Sequence, residues 1–581
     1  MGQITYRGNL SAKSFPFLSE NWGRSVIVPQ QDQNYVRTAF STEDLDKDKG
    51  IPQIYYCHNV MPHQEGLQSV GYKQQLPPIP GMSGFSDIFL LRDYADNKAF
   101  LGVMSYSTGN DFYISDGSGA PWVYIRTTFP GNVTVAYVAG VAYIYIANYG
   151  CFTYDFASST LISVTLKGLV ASRVLGITYS MGYMIAWTQG VAGVATTGTT
   201  TVGNTAVIVA SITGMTAGAV ITGAGIPDST TIVALGGTTV IISNPATASA
   251  AGVTLTTKPL AAMVAWSSTV DPTDFNPSLL TGAGGGPVES ARGAINLCAP
   301  ITLGFIVGTA DNCVAAIYQN NTRYPFQFKE LVNSGGLTNM DYVTWDANTS
   351  GLYAYTTSGL QLINTQQTQT MYTEITDFIS GGYFEDFDDS TKEFTQYVLS
   401  STMTKKLSVV VDRYLVMSYG INKLTHALVL DLITKRYGKL KIDHVQCFTY
   451  HLATAGILEA PKESFAFLRA DGSVVTVDFN IGHALSQGTL LLGKYQHVRA
   501  RMMTLDTIAL ESTRSGQNFD VTVLTALDGK NTVKSTPALT YSSGLTREYG
   551  CRATGINHSL LVQGGFIMDS VVLQFHINGK R

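Results

Sequence analysis

The chain has 581 residues, of which 13% are charged, about half the share usual for a globular protein. With 37 basic and 41 acidic residues its formal net charge is −4. No run of five or six basic residues occurs, which argues against tight nucleic-acid binding by phosphate neutralisation but not against passive contact with DNA.

The length allows two to four domains, or one large all-β unit with attachments. The chain holds 57 Gly, 31 Tyr and 25 Phe. Aromatic side chains suit a pleated, half-buried surface and Gly suits tight turns, so the composition favours β-structure. The opening MGQITYRGNLSAKSFPF lacks an apolar h-region, and no stretch of 18 uninterrupted apolar residues follows, so neither a signal peptide nor a transmembrane helix is expected.

Residues 1–85 read as an extended arm with short strands. Prolines in SFPFLSENWGRSVIVPQQDQNY and QQLPPIPGMSGF remove ladder donors and fix φ. From residue 86 to 490 a hairpin unit recurs at a spacing of roughly 40–60 residues, the period of propeller blades. The clearest units are VAYIYIANYGCFTYDF, SGLYAYTTSGLQLIN, DRYLVMSYGINKLTHALVLDLITKRYGKL and ESFAFLRADGSVVTVDF. Each alternates large apolar with small or polar residues, as a strand with one buried face does, and the turns carry Gly or Asn. Six or seven such units can be read.

Within this region residues 192–258 stand apart. The window Gly193–Thr257 holds one charged residue, Asp228, among Gly, Ala, Thr, Val and Ile. Its flanks, YMIAWTQG and AMVAWSST, read as two strands of one hairpin, so the insert is placed at the hairpin's tip as a small Thr/Gly-rich β-sandwich or barrel. Through GAGIPDSTTIVAL and NPATASAAGVTLT it resembles the Thr/Gly-rich β-modules found as add-ons in many phage tail proteins. Its uncharged surface is either a contact face or decoration. Further on, DDSTKEFTQYVLSS predicts a short helix. Ser390 precedes Glu393 by a capping-box spacing, and Phe394, Tyr397 and Val398 fall on one face. Residues 491–581 read as a C-terminal β-sandwich. The fold class expected is thus all-β: a β-propeller of six or seven blades, an inserted small β-sandwich and a C-terminal β-sandwich.

No catalytic, cofactor-binding or metal-binding residue is assigned. Asp44–Gly50 (DLDKDKG) resembles a calcium loop, but its Gly comes one place late and Tyr55 stands where Glu is needed. The carboxylates of Glu385–Asp389 fit the start of the expected helix better than acid–base chemistry. Cys57, His58 and His63 lack a second ligand group at a fixed spacing. Ser115–Trp122 (SDGSGAPW) approaches a sialidase Asp-box, with the wrong Asp-to-Gly spacing and a single copy. Cysteines 57, 151, 298, 313, 447 and 551 form no C-x-x-C pair and are expected as reduced, buried thiols.

Four stretches in order resemble one family, the tail nozzle proteins (tail tubular protein B, or tail hub) of short-tailed bacteriophages. They are NVMPHQEGLQSVGY (Asn59–Tyr72), with Gln68–Gly71 in place of the family's Arg-Pro; MVAWSSTVDPTDFNPS (Met263–Ser278); NNTRYPFQFKELVNSGGL; and the closing YGCRATGINHSLLVQGGFIMDSVVLQFHINGKR. The resemblance covers about half the chain. It implies a non-enzymatic virion protein, assembled in the host cytoplasm into a homo-hexameric ring below the portal and adaptor (head-to-tail connector). That ring would continue the ejection channel, pass double-stranded DNA without specific binding, and dock tail fibre, spike or tail tip proteins. The alternatives are a receptor- or carbohydrate-binding propeller and a propeller hydrolase; the last predicts Arg, Tyr and carboxylate side chains converging at the propeller axis.

Overall fold

The computed structural model describes residues 5–6 and most of 54–577, the longest gaps being 372–382, 453–461, 480–487 and 493–501. Among the described residues the helical turns are two short 3-10 turns, Ala171–Arg173 and Met340–Tyr342; the remaining regular elements are strands.

Among the described residues seven four-stranded antiparallel units succeed one another as the blades of a propeller. Blade 1 comprises Phe85–Arg92, Lys98–Tyr106, Gly109–Ser115 and Val123–Phe129. Blade 2 comprises Val133–Val138, Val141–Ile146, Gly150–Asp155 and Thr160–Val164. Blade 3 comprises Val174–Ser180, Tyr183–Thr188, Met263–Trp266 and Gly284–Pro287. Blade 4 comprises Ile295–Ile301, Gly304–Thr309, Cys313–Tyr318 and Phe326–Glu330. Blade 5 comprises Val343–Asp346, Gly351–Thr356, Gly359–Ile363 and Thr368–Thr370. Blade 6 comprises Thr404–Val410, Tyr414–Gly420, Leu424–Asp431 and Arg436–His444. Blade 7 takes Gln446–Leu452, Lys462–Leu468 and Val474–Asp478 from one end of the propeller sequence and Gly71–Leu76 from the other. The first strands of blades 2 to 7 touch in succession, and the first strand of blade 7 returns to that of blade 1.

The second strands correct the expectation of one buried face. Tyr183–Thr188, Gly304–Thr309 and Tyr414–Gly420 are buried at every position. Blades stack face to face, so a middle strand has protein on both sides. Thr160–Val164, a fourth strand on the rim, is by contrast half-buried or exposed throughout.

The described part of the N-terminal region, from Ile54 to Leu76, consists of short strands built into the propeller and the C-terminal sheets. Gly71–Leu76 pairs with Val474–Asp478 (Val477 opposite Tyr72, Thr476 opposite Lys73) and closes the ring. Val60–His63 and Gly66–Ser69 extend blade 6 outward, Val60 facing Lys439, and Ile567–Met568 then adds a seventh strand to that sheet. Ile54–His58 pairs with Gly488–Leu492, which pairs with Asn557–Gly564. The propeller therefore ends at Asp478, not at residue 490. The C-terminal unit begins at Gly488 and borrows strands from the N-terminal region, including Thr5–Tyr6 beside Ser570–Ile577. Its two sheets share one apolar core with blade 6, in which Phe519, Val562 and Phe566 meet Leu415, Met417 and Leu428.

The insert is a closed barrel, not a sandwich. Its six strands run in the order Ile221–Gly223, Ala250–Thr257, Ala195–Thr200, Ala206–Val209, Thr239–Ile242, Ile232–Gly236. A Val220–Thr231 bridge and the Ile221 N–H bond to the Thr230 carbonyl (2.9 Å) join the two edges. Closure removes the bare edges that a small uncharged sheet would otherwise expose. The barrel has its own core, including Val207, Ile221, Ile232, Val240 and Leu255. It leaves blade 3 between the paired strands Tyr183–Thr188 and Met263–Trp266. Its neck is held by the Val191–Leu260 bridge and by buried Arg173, whose guanidinium donates to the carbonyls of Gln189 (3.2 Å) and Ala261 (2.9 Å).

The expected helix is a strand. Glu393–Val398 pairs with Tyr383–Asp388, Phe387 facing Phe394. Phe, Thr, Tyr and Val in EFTQYV favour a pleated strand, and a helix this short has little stability of its own.

Because the neck strands already meet at Val191 and Leu260, replacing residues 193–257 by a short Gly/Ser linker should leave the propeller folded. The expected result is an unfolding temperature within about 5 °C of the parent, an interval of about 5 kcal/mol for a chain this size at roughly 2.1 cal/mol/K per residue. Loss of the cooperative transition would show that the barrel is part of the propeller core.

Candidate functional site

The inner strand of each blade is a sheet edge with backbone groups that need partners. Neighbouring blades supply several of them. Thr134 Oγ1 accepts the Ile177 N–H (3.0 Å), Thr344 Oγ1 the Val409 N–H (2.8 Å), and Gln446 Oε1 the Ile88 N–H (2.7 Å). These bonds step from blade 2 to 3, from 5 to 6 and from 7 to 1, so polar side chains at the axis fasten one blade to the next.

The seven inner strands surround a chamber of about 580 Å³. Lys406, from blade 6, lines it. Its Nζ donates to Asp87 Oδ1 of blade 1 at 2.6 Å and to Asp341 Oδ1 at 3.0 Å. Asp341 sits in the 3-10 turn before blade 5, where Asn339 Oδ1 accepts its N–H at 3.0 Å. The Lys406 side chain is only 12% exposed. Burial alone would favour its neutral form, but Asp87 and Asp341 outweigh that and hold it cationic well past its ordinary range. Burial also lifts the Asp87 carboxyl, against the pull of Lys406. The arrangement is an electrostatic tie among blades 1, 5 and 6. No Arg or Tyr lies among the described residues of the chamber wall, so the convergence predicted by a sialidase-like hydrolase is not formed there.

Behind the wall, Cys447 leads to a buried Ser–His pair. His444 Nε2 is 2.7 Å from Ser418 Oγ, and its Nδ1 is 2.8 Å from the Ile442 carbonyl. With Nδ1–H donating to that carbonyl, Nε2 accepts the serine hydroxyl. This is nucleophile-and-base geometry, but Ser418 is fully buried and His444 nearly so. The pair pins the end of blade 6, where the His444 ring also meets Phe467 edge-on at 4.8 Å.

The sequence candidates do not assemble. Asp44–Gly50 lies outside the described residues. Glu385–Asp388 lies on a strand whose side chains are not described, and Asp389 is outside. Cys57 and His58 are buried at the seam of propeller and C-terminal sheets, and burial pushes the Cys57 thiol up to about 12 against Lys439. His63 ends the strand Val60–His63. Among the described residues no group of three His, Cys, Asp or Glu could hold a metal ion. The six cysteines are free thiols, five of them buried. Ser115 ends a blade 1 strand, and Trp122 is structural: it packs on Phe85 (5.4 Å) and donates Nε1–H to the Gly472 carbonyl at 2.7 Å, across the blade 7 to blade 1 seam. Sequence reasoning missed the Asp87–Asp341–Lys406 trio. Its members carry no motif, and Asp87 and Lys406 are 319 positions apart.

Two expectations follow. Lys406→Met leaves two carboxylates facing each other without their cation and should cost about 2 kcal/mol, below the 3–5 of a fully buried pair because both carboxylates are partly exposed; urea unfolding at pH 7 reads it. Acid should weaken the fold through His444 and His558, which burial holds at about 4, below the ordinary 6.5. The unfolded chain takes up protons below pH 6.5 that the folded chain refuses until about pH 4, so stability falls across that window as pH drops. Each full shift is worth about 3 kcal/mol. Comparing urea midpoints at pH 7 and 4.5, His444→Gln should lose less on acidification than the parent.

No protein-family model matches the chain, and no curated protein does. Among solved structures it is similar to YCF48 from Cyanidioschyzon merolae, at a TM-score of 0.32 and 13% identity, over 70% of this chain and 98% of that one. It is likewise similar to YCF48 bound to D1 peptide, at 0.33 and 10%, over 72% of this chain and 97% of that one.

Proposed function

We propose that the chain is a structural subunit of a phage tail, a nozzle protein that forms a homo-hexameric ring below the portal and adaptor, continues the DNA ejection channel and docks fibres, spikes or a tail tip. The observation that carries the reading is where the family-like stretches fall. Asn59–Tyr72 threads from the C-terminal sheets along blade 6 into blade 7. Asn59 turns the chain with φ of 51°, and its Oδ1 accepts the Lys441 N–H (3.0 Å) and the Tyr72 hydroxyl (2.8 Å). Ser69 is bonded to Phe566 by its backbone and its hydroxyl.

Met263–Ser278 stitches blade 3 to the segment after blade 2. Lys167 bonds the Thr273 carbonyl and Phe275 N–H through its backbone, and Asp271 through Nζ at 2.9 Å. Bonds from Lys167 and Thr273 hold the Asp271 carboxyl down at about 2. In NNTRYPFQFKELVNSGGL, Gly336 lies so close to blade 4 that a Cβ would stand 1.8 Å from the Ala310 carbonyl oxygen. Each stretch is a joint between units, and a tail subunit that anchors one end and transmits force at the other needs its two bodies joined rigidly.

The axis of one propeller is not the conduit in this reading. A chamber of about 580 Å³ crossed by an ion-paired lysine cannot pass a duplex whose major groove alone is about 12 Å wide. The channel runs between subunits. The low charge suits it, since each phosphate contact would add affinity and slow translocation.

Light scattering after gel filtration, with negative-stain images, tests the proposal. The expected particle is a hexameric ring with a central hole; a monomer or trimer overturns it in favour of a receptor-binding propeller.

A further inference from the structure

We propose that one face of the propeller binds the surface of a phospholipid bilayer, through apolar loop tips on blades 3 and 4. The loop between the third and fourth strands of blade 3 carries Val270, Leu279 and Leu280, exposed at 82%, 71% and 94%. A single exposed apolar side chain needs no explanation; three on one loop do. Their exposure is built into a pinned turn. The Ser278 N–H bonds the Ala283 carbonyl (3.0 Å) and closes the turn that has Leu279 and Leu280 at its tip. Trp266 Nε1–H donates to the Gly282 carbonyl (2.9 Å) and ties that turn to the end of its strand. Thr269 bonds the Thr281 carbonyl through its N–H (3.2 Å) and its hydroxyl (3.3 Å), which holds Val270 beside the turn. A slack loop could fold its leucines back onto the body; this one would have to break those bonds first.

Blade 4 continues the patch. Antiparallel strands alternate in direction, so the turn after a first strand and the loop after a third strand lie on the same face. On that face of blade 4 stand Leu303, in the first turn, and Tyr324, in the later loop, each more than half exposed. These loops are rooted together. Trp266 meets Phe326 edge-on at 5.6 Å, Phe326 lies 5.9 Å from Tyr318, and the Tyr318 N–H bonds the Leu303 carbonyl (2.9 Å). From Phe275 to Val288 the sequence holds no charged residue, and Asp271 just before it is paired with Lys167 at 2.9 Å, so the tip has no charge to offer an ionic partner. Leucines on a projecting turn need a soft apolar phase that takes protruding side chains without a preformed pocket, and a bilayer is such a phase. Tyr324, with the Arg323 guanidinium 5.4 Å from its ring centroid, supplies the aromatic and cationic groups that rest at headgroup level. The inference stands whether or not the chain forms a tail ring.

The test is flotation of the full chain with phosphatidylcholine vesicles. The parent should float with the lipid. The double variant Leu279→Ser, Leu280→Ser changes only exposed side chains, so it keeps the fold, and it should partition into the vesicles roughly tenfold less or weaker still. Ile208→Ser, at an equally open aliphatic site on the barrel, should float as the parent does. A parent that stays with the buffer overturns the proposal. So does flotation unchanged in the double variant, or lost equally in Ile208→Ser, because either places the contact elsewhere. Binding that requires phosphatidylglycerol in the vesicles overturns it by assigning the contact to charge. Gel filtration with light scattering covers the other occupant: the double variant should have the parent's particle mass, and a smaller mass overturns the proposal by showing that the tips hold a second copy of the chain.

Discussion

The pairing of Gly71–Leu76 with Val474–Asp478 is the constraint on which the remaining architecture hangs. A propeller is a closed ring of sheets, and each blade buries its faces only if both neighbours are present. Blade 7 lacks a fourth strand of its own, so the chain closes the ring with residues made some four hundred positions earlier. Closure by hydrogen bonds between distant segments fixes the blade count and lets middle strands such as Tyr414–Gly420 be buried on both faces. It also explains why Gly71–Leu76, far from blade 7 in sequence, is a strand of that blade.

The same N-terminal segment settles how the C-terminal sheets are mounted. On its way to blade 7 the chain pairs first with Gly488–Leu492, then with the outer strand of blade 6, and Ile567–Met568 completes that sheet. Propeller and sandwich therefore share hydrogen-bonded strands and an apolar core. Two domains joined by a linker would swing; two joined by a common sheet cannot. The barrel on blade 3 follows the opposite design. It has its own core and closed edges and touches the propeller through a neck clamped by Arg173, so it can present a surface without disturbing the ring.

At the axis the inner strands meet edge to edge, and their polar needs are met by Thr134, Thr344, Gln446 and the Lys406 trio. These groups exist to serve backbone and charge, and they make the chamber polar but electrically satisfied. The buried Ser418–His444 pair carries suggestive chemistry, but sealed inside a core it has no substrate to act on.

The sequence by itself determined the all-β class, the blade period, the barrel's limits and the placement of YMIAWTQG and AMVAWSST as partner strands, because each rests on local alternation and turn residues. It misread EFTQYV as helix, since a capping-box spacing and a short apolar face fit either period. Only the tertiary structure decided the seventh blade, the borrowed strands at 54–76 and the axial trio. Asp87, Asp341 and Lys406 are ordinary surface-type residues in sequence. They meet only because a closed ring brings inner strands from distant blades to one axis, and nothing within reach of a local pattern carries that information.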